Sequence, residues 1–172
     1  MSEINLSFLE KKPSIDSSVF IGTGASITGD VTIGENSSIW YNSVLRADVE
    51  KIQIGNRTNI QDLSVIHVDH DKPCVIGNDV TIGHSVNLHG CVIEDSCLIG
   101  IGAIILSGAV IKKGSIIAAG SVIKENQIVE PYSLMAGVPA RFIRQEKNFL
   151  EKNINHAKAY IEIANKHKLK NL

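Results

Sequence analysis

The chain has 172 residues, 44% of them hydrophobic and 20% charged, with 17 Lys and Arg against 18 Asp and Glu. That length makes one domain the expectation and is enough for a real core. A formal net charge of −1 offers no field to attract nucleic acid or an anionic membrane, so partners must be sought in local sites.

The chain opens on MSEINLSFLEKKPSI, which lacks the basic start and long apolar run of a secretion signal. No stretch approaches the ~18 consecutive apolar residues of a membrane span, so a cytoplasmic protein is expected. Cys74, Cys91 and Cys97 form an odd set without CxxC spacing, which suits a reducing compartment and small packing residues, not a disulfide framework.

After a short N-terminal cap over residues 1–14, a six-residue rhythm begins. Ile15, Ile21, Ile27, Ile33, Ile39 and Leu45 open successive hexads, and the fifth place of each is small or β-branched: Val19, Ala25, Val31, Ser37, Ser43, Val49. Three extra residues around Glu50 to Gln53 interrupt it. It resumes at Ile54, Ile60 and Ile66, passes an HDKPC loop, continues at Ile76, Ile82 and Leu88, drops one residue, and runs from Ile93 in steps of six to Ile123. A period held so long predicts a parallel β-helix, in which each short strand turns one aliphatic side chain into an interior shared with the next coil. At three hexads per turn there are about six coils, roughly 29 Å of stack at the usual strand spacing. A sandwich or barrel would space its strands nearer eight to twelve residues.

The rhythm fails near Pro131, giving a β-helix over residues 1–131 and a remainder over 132–172 within a single domain. The segment PYSLMAGVPARFIR has two prolines and a glycine within nine residues, a connector composition. From about Gln145 to Lys168, Phe149, Leu150, Ile154, Ala157, Ile161 and Ala164 recur at three- and four-residue steps, predicting an amphipathic helix that covers a prism face. Asn153, His156 and Tyr160 also fall at helical spacing, where surface or half-buried positions are the rule.

Three histidines lie in the middle of the prism. His67 and His89 each follow the aliphatic residue opening the third hexad of consecutive sets, so a three-hexad coil stacks them about 4.8 Å apart. His84 falls at the third place of a second hexad, around a corner from both. A metal site needs three or four N, S or O donors, and a catalytic one leaves a position open. The simplest geometry that unites these rings uses two copies: His67 and His89 from one, His84 from a neighbour. Repeated by rotation, that contact closes a cyclic homotrimer with three interfacial metals. Arg46, Asp48, Gln61 and Asp62 cluster where second-sphere partners are needed; the same four would also serve as ion pairs between subunits.

The hexads with RAD at Arg46 to Asp48, NIQD at Asn59 to Asp62, IH at His67, IGH at His84 and LHG at Leu88 to Gly90 resemble the gamma-class carbonic anhydrase family. The AGVPAR segment and the AxxYxxxA pattern at Ala157 to Ala164 extend the resemblance over nearly the whole chain. The resemblance implies a left-handed β-helix trimer, an exception to right-handed crossovers, with zinc, iron or cobalt held between subunits by His67, His84 and His89. It further implies Gln61, helped by Asn59, orienting a metal-bound water; Arg46, Asp48 and Asp62 in an interfacial network; and Tyr160 approaching from the helix. The implied reaction is attack of metal hydroxide on carbon dioxide to give bicarbonate.

The chain departs from that family at one point. Where members carry a glutamate after the aspartate of the RAD-like segment, it has Val49, and the loop after His67 is the short His70 to Pro73 turn. Candidate replacements for the missing proton shuttle are His70 and Glu50. Two other readings compete: a hexapeptide-repeat acyltransferase, with a histidine as general base toward an acyl-CoA, or a thioester hydrolase; and a non-catalytic trimeric scaffold with a structural metal.

Overall fold

A computed structural model of the chain describes residues 7–170. Short strands coil into a three-sided, left-handed prism of parallel strands, ended by one antiparallel strand, with one helix along a side. The first face begins at Ser14–Ile15 and carries Cys74–Ile76, Val92–Ile93, Val110–Ile111 and Ile128–Val129. The second carries Phe20–Ile21, Ser38–Ile39, Asn59–Ile60, Thr81–Ile82, Leu98–Ile99 and Ile116–Ile117. The third carries Val65–His67, Asn87–His89, Ile104–Ile105 and Val122–Ile123.

Strands of two or three residues persist because each is paired above and below. Ile54, Ile60 and Ile66 of one coil sit in register with Ile76, Ile82 and Leu88 of the next. These six side chains, like Ile93, Ile99 and Ile105 above them, are almost wholly withdrawn from water. Each such residue contributes about 1.5–3 kcal/mol of transfer free energy, so the interior stack carries the fold. The large aromatics stay outside it: Phe20 and Trp40 pack with Ala164 and Tyr160 beneath the helix.

The corner between the second and third faces turns at Leu63, Ser85, Gly102 and Gly120, all in left-handed backbone (φ 61°, 57°, 68° and 65°). At Leu63 this conformation costs roughly 1 kcal/mol. It stacks Asp62, His84 and Ile101 in a column, tied by bonds from the Ser85 amide to the Asp62 carbonyl and from the Gly102 amide to the His84 carbonyl, each 2.9 Å.

Three local expectations are revised. The interruption at Glu50 to Gln53 does not break the strand: Val44–Ile54 runs on, bending from the third face onto the first, with the mismatch taken up opposite Gly29 and Val31. Gly29 is required there, because a Cβ would collide with the Ala47 carbonyl oxygen. The stack also continues past Pro131. Ser133–Gly137 adds a parallel strand with Met135 beside Ile117, keeping the six-residue step from Val129, and Ala140–Gln145 returns antiparallel along it. The supposed connector is therefore a hairpin. The helix starts after it, at Phe149–Leu169. Of the expected N-terminal cap, residues 1–6 lie outside the described residues; Ser7–Glu10 form a short 3-10 turn.

The helix lies on the second face through Phe149, Asn153, Ala157 and Ala164. Asn153 Nδ2 donates to the Ser96 carbonyl at 2.8 Å, and Tyr41 Oη meets His167 Nδ1 at 2.8 Å near the other end. Glu151 in its first turn and Lys166 and Lys168 in its last complement the helix dipole. Among the described residues no helix is long and apolar enough to cross a membrane.

Candidate metal centre

His67 and His89 end adjacent strands of the third face and are direct register partners, their ring centroids 5.0 Å apart and inclined at 59°. Arg46 is the register partner of His67 in the coil below. Asp48 joins the two: its Oδ1 lies 2.9 Å from His67 Nε2, and its Oδ2 accepts from Arg46 Nη1. Burial pushes the Asp48 carboxyl up, but the hydrogen bond with His67, reinforced by the Arg46 charge, holds it below the usual carboxylate range.

Ser107, one coil above, places its Oγ 2.8 Å from His89 Nδ1. The same hydroxyl bonds Asp69, and this bond, with a second from the His70 amide, keeps the Asp69 carboxyl below its ordinary value against a smaller opposing push from burial. Neither Ser107 nor Asp69 is singled out by sequence. The one available signal is the coil period, since Leu88 pairs with Ile105 and Ser107 follows two residues later.

His84 sits at the second-to-third corner, its Nδ1 2.8 Å from Asp62 Oδ2 and its side chain 43% exposed. Each of the three rings therefore has one nitrogen held by an oxygen, from Asp48, Ser107 or Asp62, and the other nitrogen without a partner among the described residues. This is how metal-binding imidazoles are held, with the outer partner fixing ring orientation. A nitrogen donor set suits zinc, iron or cobalt. Within one chain, however, no three His, Cys, Asp or Glu side chains among the described residues converge on a point. The stack brings His67 and His89 together and leaves His84 on another edge.

Beside His84 opens a cavity of about 420 Å³ between the second face and the helix, lined on one side by Gln61, Thr81, His84, His156 and Tyr160 and on the other by aliphatic side chains including Leu98 and Ile116. Gln61 is buried and donates through Nε2 to Asn59 Oδ1 at 3.0 Å; Asn59 Nδ2 donates to Thr81 Oγ1 at 2.9 Å; Thr81 Oγ1 lies 3.1 Å from His156 Nδ1. Tyr160 reaches the cavity from the helix, its ring 5.5 Å from that of His156. Burial, then the Asp62 carboxylate, push the Tyr160 phenol above its ordinary value. Glu50 and His70 stand apart: Glu50 Oε1 accepts from the Lys51 amide at 2.8 Å, and His70 is exposed on a turn.

These features define a hexapeptide-repeat β-helix protein with paired imidazoles on one face and a third on the adjoining corner. A family model described as bacterial transferase hexapeptide (six repeats) matches residues 12–47 and 90–125. The chain is 53% identical over 131 residues to a probable carbonic anhydrase of Methanocaldococcus jannaschii, covering 76% of this chain and 82% of that one. It is 47% identical over 92 residues to a mitochondrial gamma carbonic anhydrase of Arabidopsis thaliana, spanning 50% of this chain and 34% of that protein. A solved structure of a putative acetyltransferase from Bacillus cereus superposes with a TM-score of 0.90 at 42% identity, covering 92% of this chain and 93% of that one. The chain belongs to the gamma-class carbonic anhydrase family.

Proposed function

We propose that the protein is a metal-dependent lyase that hydrates carbon dioxide to bicarbonate at a site shared between two copies of the chain in a cytoplasmic homotrimer. One observation carries the reading: three imidazoles each anchored through one nitrogen, two stacked on a face and the third on a corner. His67 and His89 of one copy and His84 of the next would hold a divalent cation, with zinc as first choice and iron or cobalt as alternatives. The cation supplies the acidity that makes water a nucleophile near neutral pH. Exposed apolar side chains flank the His84 corner, Leu63 and Val65 below it and Ile101 and Ile104 above, a ridge that a second copy would bury. Because the Gln61 amide gives its hydrogen to Asn59, its Oε1 is left to accept from the attacking water and orient it. Arg46 and Asp48 hold His67; Asp62 holds His84. Carbon dioxide, apolar and small, fits the aliphatic side of the cavity.

The test is complementation. His67→Ala and His84→Ala should each yield trimers without bound zinc, while trimers assembled from a mixture of the two should recover zinc and stopped-flow hydration activity at interfaces pairing the intact halves. Zinc retained by the single His84→Ala variant refutes the ligand assignment. A fully metallated trimer with no hydration rate refutes the lyase and leaves a scaffold. Acyl transfer is the second reading, favoured by the name of the Bacillus cereus structure; it requires turnover of an acyl-CoA that survives removal of metal.

A further inference from the structure

We propose that His156, on the C-terminal helix, is the base that carries the proton out of the site. The inference rests on the lyase reading, which releases one proton for each water consumed and therefore needs an exit. Glu50 is folded back onto its own backbone and His70 is exposed on a turn, and neither lines the cavity beside His84. His156 does, together with Gln61 and Tyr160.

Distance and room both fit a short water relay. Thr81, which holds His156 at 3.1 Å, is three residues before His84. Even fully extended at about 3.3 Å per residue that is at most roughly 10 Å, within the reach of two or three waters in line. A cavity of about 420 Å³ holds them easily, since each water occupies roughly 30 Å³. One polar wall, from His84 and Gln61 through Thr81 to His156, gives them partners.

The ring is held for the task. Thr81 Oγ1 accepts from Asn59 Nδ2 and lies 3.1 Å from His156 Nδ1; in the tautomer the proposal requires, Nδ1–H donates to that oxygen. This leaves Nε2 of the neutral ring bare. A proton leaving the attacking water passes along the cavity waters and lands on Nε2; the imidazolium keeps its bond to Thr81 and passes the proton to buffer from its exposed side. No bond to Thr81 has to break in either state. Tyr160 stacks near the ring from its own helix and His84 lines the same cavity. Partial burial lowers the affinity of the ring for protons, which favours the neutral form near pH 7.

The experiment uses the zinc-loaded trimer. In dilute buffer His156→Ala should lower kcat by about 10²-fold, leave kcat/KM for carbon dioxide unchanged, retain its zinc, and recover when imidazole is added. His156→Gln, which keeps a hydrogen bond to Thr81 but does not titrate, should show the same loss. Independently of turnover, the His156 ring in metal-free protein should titrate by NMR below the ordinary histidine midpoint. An unchanged kcat, a parallel fall in kcat and kcat/KM, a loss that imidazole does not rescue, or a midpoint above 7 overturns the assignment while leaving the lyase reading intact. A wild-type protein without hydration activity overturns both.

Discussion

Replacing Asp48 by Asn tests the framework of the site through stability alone. Asp48 is 8% exposed, its Oδ1 2.9 Å from His67 Nε2 and its Oδ2 paired with an Arg46 side chain that is half exposed. Solvent screens the arginine pair, which is worth little; the buried bond to His67 carries the weight, about 1.5–3 kcal/mol for a hydrogen bond to a charged group. Asn keeps the shape and loses the charge. Because the folded carboxyl is held below its unfolded value, near 3.9, its stabilisation is present above that pH and is lost as pH falls through the folded value. Asp48→Asn should therefore cost about 1.5–3 kcal/mol at pH 7, and the gap should narrow as pH falls below the unfolded carboxylate value. Urea unfolding of metal-free protein at one fixed protomer concentration measures it, since any assembly makes stability depend on concentration. A gap of constant size from pH 7 to pH 3, or an Asn variant as stable as wild type at pH 7, would refute the account of Asp48 as the charged anchor of His67.

Ser107→Ala should weaken zinc binding about 10–100-fold by freeing the His89 ring, read by competition with a chelator, and should cost no more than about 1.5 kcal/mol in folding. Ile66→Ala, in the prism interior between Leu45 and Leu88, should destabilise by about 2–5 kcal/mol in the same urea assay. The three cysteines are free and buried; burial pushes the Cys97 thiol up to about 12, and Cys91 is raised first by its neighbour Cys74 and then by burial. None should react with a disulfide reagent at pH 8 in native protein, and all three should react after unfolding.

The prism is legible because its period is local. One inward aliphatic residue per six fixes which residues share a face, so the stacking of His67 on His89 and the displacement of His84 follow from counting alone. Counting failed where local composition masked the period. Met135 continues the step from Val129, yet Pro131, Gly137 and Pro139 around it read as a connector, hiding a parallel strand and its antiparallel return. It also failed where the partner comes from elsewhere in the chain. Thr81 and His156 are 75 residues apart, and their bond depends on how deeply the helix seats on the second face, which Asn153 and the Phe20–Trp40 cluster decide. No pattern within the helix records that depth. Ser107 was missed for a milder reason. It lies eighteen residues after His89, but the dropped residue between Leu88 and Ile93 shortens that coil to the seventeen-residue register of Leu88 with Ile105, so Ser107 falls one place beyond the position level with His89.

The same rigidity that makes the prism legible bears on why the proposed site would be shared. A three-sided coil is convex along each edge: side chains on the third face and those on the second-to-third corner diverge as they leave the backbone, and consecutive coils repeat the divergence without curving inward. His67 and His89 can approach each other because parallel pairing puts them in one column. No rotamer of His84 turns a convex corner into a concave one while Asp62 holds its Nδ1 at 2.8 Å. A pocket of imidazoles must then be formed by setting one edge against another face, and identical chains provide both. On this reading the apolar ridge of Leu63, Val65, Ile101 and Ile104 is no accident of an exposed surface. It supplies the burial that brings the corner to the column, so assembly and ion binding would form a single equilibrium, and loss of either should be seen as loss of both.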